Sequence, residues 1–549
     1  MYFSSLALAL ALGASDTGPY VIDARYEDDR ALALLLTRTA PWRVDRRART
    51  VRLDVPDRFT WQSIEKLGFK VELNEALTAA LQNLPTRGSG GGIPGFSCIR
   101  TVDESYARMQ QLVSSHPQRA ALIDIGDSWR KTNGQSGGSD LLVLKISNSA
   151  IAGPKPVIFM QGGLHAREYI TSETLLRFGE FLLSNYGVDP DVTWIVDQHN
   201  IQILVHANPD GRRIAETIGT QLQRKNRNSN HCPAGGTQVG VDLNRNFPFH
   251  FSGPGGSPDE CTEVYWGVSA SSEPETAAII AHVQSIFPDQ RAESPGLDLT
   301  TPVSPEATGI YLDVHSNAGM TLWPWGSVDG VLAPSATALQ TLGRKMSFYS
   351  LLTPQQANMG GAIGGTTEDY VYGTRGVASF TIELGGTTFF PDCTVYEQQL
   401  LTPNINAFLI ASKFPRTPYL TPAGPELTQT SVTPAIASAS GSFLIRARAD
   451  DGRFNNTVGT EPTQIVTAAE ALTSPPWGAI TGVYPMIASD GSFSASAEDV
   501  EVTIPGSAVP EGRHLIYLQA LDAGGNTGPV TAVFVERSDV GEIFASRFE

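Results

Sequence analysis

The chain has 549 residues, 41% of them hydrophobic, and 39 Lys and Arg against 56 Asp and Glu leave a net charge of −17. That length suggests about two to four folding units with sizeable cores. So acidic a surface repels phosphates, which excludes nucleic acid as a partner, and no apolar run of about 18 residues is present to span a membrane.

Residues 1–15, MYFSSLALALALGAS, join a short Leu/Ala run to small residues at Gly13, Ala14 and Ser15, the pattern of an export signal on a secreted protein. Residues 16–93 mix their signals. RTVRLDV (49–55) alternates like a strand, FTWQSIEKLGF (59–69) has helical spacing, and KVELN is extended again. The stretch ends in TRGSGGGIPG, a Gly-rich linker with Arg87 before the glycines, open to proteases. A small α+β pro-segment, cut near this linker, is expected.

Over residues 94–416 strands and helices alternate. PVIFMQG, IQILVHA, GIYLDVH and ASFTIEL read as buried strands, and ITSETLLRFGEFLLSNY sets Leu175, Phe178, Leu182 and Tyr186 on one helical face. This order predicts an α/β fold, an open mixed β-sheet flanked by helices, with ligands at the carboxyl ends of the strands. Over residues 417–549 helical patterns nearly vanish. Phe443, Ile445 and Ala447 alternate, as do Val500, Val502 and Ile504, and LIYLQALDAGGNTG closes a strand with turn residues, so a C-terminal β-sandwich is predicted. The closing GEIFASRFE suggests a recognition tail. Four cysteines allow three pairings; Cys232 and Cys261 bracket one Gly-rich stretch, which leaves Cys98 for Cys393.

The predicted strand ends carry the chemistry. PVIFMQGG runs into His165 and Glu168, GIYLDV into His315, and ASFTI into Glu383. An HxxE pair alone is weak, but two His and one Glu make the usual three-ligand catalytic zinc set with a fourth position open to water. Glu383 is then the candidate base. VDLNRN groups Asp242, suited to orient a ligating His, with Asn244 and Arg245, whose planar fork suits a terminal carboxylate. His206 reads as a packed or hydrogen-bonded residue, and His231 and His250 fall in loops.

The ordered motifs GGLHAREYI, NPDG, LQRK, VDLNRN, DVHS and FTIEL, spread over about residues 95–415, resemble the zinc carboxypeptidases, the family of pancreatic carboxypeptidases A and B and bacterial carboxypeptidase T. The resemblance implies one zinc ion on His165, Glu168 and His315, water activated by Glu383, and an oxyanion steadied by Arg224. It further implies that Asn244 and Arg245 hold the free carboxylate of a peptide and that Arg167 lines the peptide subsites. The partners implied are peptide or protein C-termini, and a monomer is expected. Two departures stand out: Gly361 occupies the place of the family's mobile tyrosine, and Asn317 another tyrosine position. Glu368 falls at the base of the terminal side-chain pocket, where an acid favours Lys or Arg, so basic or mixed preference is expected. The alternative is a zinc hydrolase of cell-wall peptides or acyl groups on the same scaffold. A catalytically dead binding protein is disfavoured, because the zinc ligands and the base are all present.

Overall fold

The alternation in RTVRLDV builds the first unit. The computed structural model describes residues 17–84, 91–232, 238–291 and 298–539; the expected export signal, the linker around Arg87 and the GEIFASRFE tail lie outside the described residues. Strands β1 (Thr17–Arg25), β2 (Arg43–Asp45), β3 (Thr50–Asp57) and β4 (Lys70–Leu73) form an antiparallel sheet in the order β2-β3-β1-β4. Val51, Leu53 and Val55 of β3 are buried, as period-two patterning requires. Helices Asp29–Leu36, Arg58–Lys66 and Glu75–Gln82 start at Asp28, Asp57 and Asn74, whose side chains accept first-turn N–H groups.

The central sheet holds β5 (Ala120–Asp127), β6 (Asp140–Ile146), β7 (Val157–Gly162), β8 (Asn200–Leu204), β9 (Ile310–Ser316), β10 (Met320–Trp323), β11 (Thr353–Gln356) and β12 (Ala378–Leu384), in the order β11-β10-β12-β9-β7-β8-β6-β5. The four apolar runs read from the sequence are β7, β8, β9 and β12, and they lie side by side and parallel. Such strands are apolar on both faces because helices cover both. On one face Phe159 and Gln202 meet helix Pro274–Ile286, whose His282 bonds Gln202 at 2.7 Å, and Tyr311 packs beside Phe159. On the other, Leu144 and Ile203 are approached closely by Gly179 of helix Tyr169–Asn185. From β7 the chain runs to β8 on one side and later returns to β9 on the other, so the carboxyl ends of β7 and β9 flank a crevice.

The C-terminal unit comprises β13 (Glu426–Thr433), β14 (Ile436–Ala437), β15 (Ser442–Asp450), β16 (Val466–Leu472), β17 (Val483–Ala488), β18 (Ala497–Pro505), β19 (Gly512–Asp522) and β20 (Thr531–Arg537). β17 pairs with β16 along one stretch and with β18 along the next, so two layers continue into each other around one core that contains Phe443, Ile445, Met486, Val500 and Leu518. Both disulfides join the cysteines expected, Cys98 with Cys393 and Cys232 with Cys261. Among the described residues no helix is long and apolar enough to cross a membrane.

The C-terminal unit is bound to the central one through buried charge. Lys345, fully buried in helix Ala336–Ser350, sits 3.1 Å from Glu426 Oε1 and 4.0 Å from the Phe454 ring centroid. Glu426 also accepts from Tyr349 and Arg453. Removing one partner of such a set strands the other in low dielectric. Glu426→Ala is therefore expected to cost about 3–5 kcal/mol and to lower the urea midpoint; a midpoint equal to the parent's would show that the network contributes nothing.

Candidate metal centre and active site

The site begins where β7 stops. Gly163 takes φ +66°, and a Cβ there would stand 2.6 Å from Ser172 Oγ, so only glycine lets the chain turn this tightly into helix Tyr169–Asn185. That turn puts His165 and Glu168 over the crevice, and His315 arrives from the end of the parallel neighbour β9. His165 Nδ1 lies 2.8 Å from Glu168 Oε1 and 3.0 Å from His315 Nδ1, while His315 Nδ1 is 3.1 Å from Glu168 Oε2. All three side chains are buried.

The far nitrogen of each imidazole faces a carboxylate. Asp242 Oδ1 is 3.1 Å from His165 Nε2, and Asp313 Oδ2 is 2.9 Å from His315 Nε2. This orientation turns both Nδ1 lone pairs toward one point together with the Glu168 carboxylate, an electron-rich set that a dication reconciles. Ligand atoms of His165, Glu168 and His315 within 4.8 Å of one another, two nitrogens and one oxygen, suit zinc with an open fourth position. Burial opposes ionisation of Glu168, but the two imidazoles outweigh it and hold its carboxyl well below the usual range. Burial likewise opposes charge on Asp242, and Arg224, Arg245 and His165 overcome it.

Glu383 occupies β12 directly opposite His315, and its Oε2 accepts from Ala318 N–H at 3.3 Å. Burial, helped by the charge on Glu168, raises its pKa to about 7, a value suited to taking and returning a proton near neutrality. Arg224 donates to Asp242 Oδ2 from Nε at 3.2 Å and Nη2 at 3.0 Å. Its carbonyl accepts from Ala166 N–H at 3.0 Å, which fixes it beside the metal ligands. Asn244 Oδ1 accepts from Thr367 N–H at 3.0 Å, and Arg245 donates to the carbonyls of Gly255 and Asn244 at 2.7 and 2.8 Å. Burial lowers the Arg245 pKa to about 10, which leaves it cationic at neutral pH.

These residues line one cavity of about 170 Å³. At its base Glu368 Oε1 accepts from Thr366 Oγ1 at 3.0 Å, while Oε2 has no partner among the described residues. Burial, with the charge on Asp369 behind it, raises the Glu368 pKa to about 8. Arg167 is the one expected site residue that does not line the cavity. It is fully buried and directed to Glu263 (2.8 Å), Asp54 (3.6 Å) and the Ala40 carbonyl (3.3 Å).

The reason is the N-terminal unit. Its segment from Thr39 to Trp42 forms part of the cavity wall: Thr39 Oγ1 and Ala40 N–H donate to Glu263, Trp42 Nε1 donates to Asp54, and the Trp42 ring stands edge-on to Phe389. With its amide turned so that the nitrogen faces a carbonyl and the oxygen faces N–H groups, Asn317 donates to the Trp42 carbonyl at 3.2 Å. Gly361 at φ +118° touches the same unit, since a Cβ there would meet Leu36 Cδ1 at 2.7 Å. A side chain at Gly361 would be strained at this φ and would displace the Leu36 methyl while this unit is seated.

Sequence reasoning missed several contributors. Asp313 had a signal: it precedes His315 by two on a strand and so shares its face. Asn226 had none. It accepts from Val241 N–H and donates to buried Glu273 and Glu275, tying the Arg224 segment to the one bearing Asp242, Asn244 and Arg245. His206 is buried without a partner on either ring nitrogen among the described residues, whereas His231 and His250 bond Glu260 and Ser327.

A zinc carboxypeptidase family model matches residues 105–401. Carboxypeptidase A2 of Rattus norvegicus is 28% identical over 311 residues, which cover 55% of this chain and 66% of the relative. Carboxypeptidase A1 of Bos taurus is 30% identical over 306 residues, 53% of this chain and 64% of the relative. A zinc carboxypeptidase of Saccharothrix mutabilis subsp. capreolus is 29% identical over 356 residues, 61% of this chain and 76% of the relative. The chain thus spans slightly less than two thirds of the two animal relatives. In fold it is similar to carboxypeptidase A from Helicoverpa armigera, with TM-score 0.56, 23% identity and coverage of 72% of this chain and 97% of that one. It is similar also to thrombin activatable fibrinolysis inhibitor, with TM-score 0.54, 19% identity and the same 72% and 97% coverage. The match over more than half of the residues joins the geometry in one conclusion: this chain belongs to the zinc carboxypeptidase family.

Proposed function

We propose that the chain is a secreted zinc metallocarboxypeptidase, made with an inhibitory N-terminal segment, that hydrolyses the C-terminal bond of peptides with basic or mixed terminal preference. The observation that carries this reading is the meeting of His165, Glu168 and His315 at one point beside Glu383, above a cavity walled by Asn244 and Arg245. Export is supported by the two disulfides, which persist in oxidising compartments. His165, Glu168 and His315 would hold the zinc ion, which supplies Lewis-acid polarisation and acidifies water. Asn244 and Arg245 bind the substrate's free carboxylate and so place the last peptide bond. Glu383 accepts a proton from the attacking water and passes it to the departing amine. Arg224 complements the negative charge that grows on the carbonyl oxygen.

The deciding experiment pairs metal analysis with hydrolysis of blocked dipeptides. The chain is expected to bind zinc and to cleave free but not amidated C-termini. Glu383→Gln should keep the zinc while losing about 10²–10⁴-fold in turnover. Near-normal turnover by Glu383→Gln removes the base assignment, and cleavage of amidated peptides favours the cell-wall or acyl alternative.

Glu368 sets a pH dependence. With its pKa raised to about 8 the free carboxyl is neutral below that pH, and a Lys or Arg side chain is attracted only by its ionised form. KM for Lys-terminal peptides should therefore fall as pH rises toward about 8, while KM for Leu-terminal peptides stays flat. Glu368→Gln should abolish the difference; a Lys preference that survives it unchanged refutes the pocket assignment.

The seated Thr39–Trp42 segment predicts latency. Turnover by the intact chain should be low and should rise after limited trypsin treatment near Arg87. Full turnover with residues 17–84 still attached would remove the inhibitory role.

A further inference from the structure

Helix Ala336–Ser350 connects two neighbours of the central sheet, β10 and β11. Its inner side packs Leu339, Leu342 and Met346 into the central core, with Gly343 against the Trp323 ring of β10. Its outer stripe, Thr341, Arg344, Lys345, Phe348 and Tyr349, follows helical spacing and is covered by the C-terminal unit, chiefly by the segment after β15. Glu461 takes Arg344 Nη1 at 2.7 Å and the Thr341 hydroxyl.

The end of this helix is strained. Leu351 adopts φ 63° at a position that glycine ordinarily fills, and helix ends leave carbonyls unpaired. Asn455 of the C-terminal unit closes that end. Its Nδ2 donates to the carbonyls of Ser347 at 3.2 Å and Leu352 at 2.9 Å, and its N–H donates to the carbonyl of Arg344 at 3.0 Å. The next residue, Thr353, opens β11. At the far end of β11, Gln356 Nε2 donates to the Trp325 carbonyl at 3.0 Å, and Ala357 abuts Gly326, whose missing Cβ would stand 2.9 Å from Glu368 Oε1 and 3.1 Å from Ala357 Cβ.

We infer that the C-terminal β-sandwich is a positioning element for the pocket around Glu368: through Asn455 and Glu461 it holds helix Ala336–Ser350 and the start of β11, and so sets the wall formed by Ala357 and Gly326. This rests on the reading of that cavity as the terminal side-chain pocket. It makes the sandwich part of substrate selection although none of its described residues lines the cavity. The register Thr353–Gln356 against Met320–Trp323 carries the constraint from Leu352 to Ala357 as a rigid strand pair.

The test uses the full chain, treated with limiting trypsin before the kinetic arm, with Asn455→Asp, which keeps the shape and removes the amide donor, beside Ile487→Ser on the exposed part of β17 as control. Asn455→Asp is expected to speed hydrogen exchange over residues 351–363 while β9 and β12 stay protected. KM for a Lys-terminal peptide should rise about tenfold with kcat and zinc content kept, because loss of a binding wall weakens binding without removing the base. If Asn455→Asp does not fold, Glu461→Gln releases Arg344 and Thr341 instead and carries the same expectation. Unchanged exchange over residues 351–363 overturns the inference, as does an equal fall in kcat for Lys-terminal and Leu-terminal peptides. A parent chain that cleaves no free C-terminus even after that trypsin treatment fails the functional reading alone, because the exchange arm still decides the positioning.

Discussion

Two imidazole nitrogens 3.0 Å apart, turned toward the same carboxylate, repel unless a cation lies between them, and the active-site half of the molecule is organised to keep them there. Asp242 does this from behind by accepting from His165 Nε2, and Asp313 by standing 2.9 Å from His315 Nε2. Both acids are fully buried, so each needs its own support. Arg224 and the Asn244 N–H attend Asp242, and Gln161 and Thr367 attend Asp313. Arg224 and Asn244 thereby both line the cavity and support the carboxylate behind His165. Parallel pairing of β7, β9 and β12 makes this possible, since it brings the carboxyl ends of the three strands to one edge.

The same electrostatic economy explains how the N-terminal unit is held. Arg167 projects from the loop that carries His165 and Glu168 and is pulled between Glu263 of the central unit and Asp54 of the N-terminal one. Burial raises the Asp54 pKa and the nearby Glu263 adds to it, while Arg167 and the Trp42 indole oppose the shift. Arg167 is thus occupied by Glu263 and by Asp54 and Ala40 of the N-terminal unit. Gly361 belongs to the same arrangement, because a Cβ there would press on Leu36 at the rim of the cavity.

Beside β10 and β11, which it connects, helix Ala336–Ser350 joins the central core and the sandwich. Its inner stripe is apolar and its outer stripe charged, yet both are covered, and Lys345 is fully buried. A charged stripe is stable there only because Glu426, Glu461 and Asn455 answer it across the boundary. The sandwich is accordingly continuous with the central fold in energetic terms, although its own core is separate.

Local patterning determined a good deal. The apolar runs of β7, β8, β9 and β12, the alternation of β3, β15 and β18, the disulfide pairs, and the presence of His165, Glu168, His315 and Glu383 at strand ends were legible, because strand period and residue chemistry are properties of short segments. Strand order was less so, and the strands β1, β10 and β11 have no strong pattern of their own; they are strands because of what they pair with. Tertiary structure alone decided that Arg167 faces Asp54 and Glu263 instead of the cavity, that Asn226 bridges two segments of the site, and that Glu368 is buried with one oxygen unpartnered. Charge pairing and desolvation act through distance in space, and residues well separated along the chain, such as Arg167 and Asp54, carry no mark of it in their neighbours.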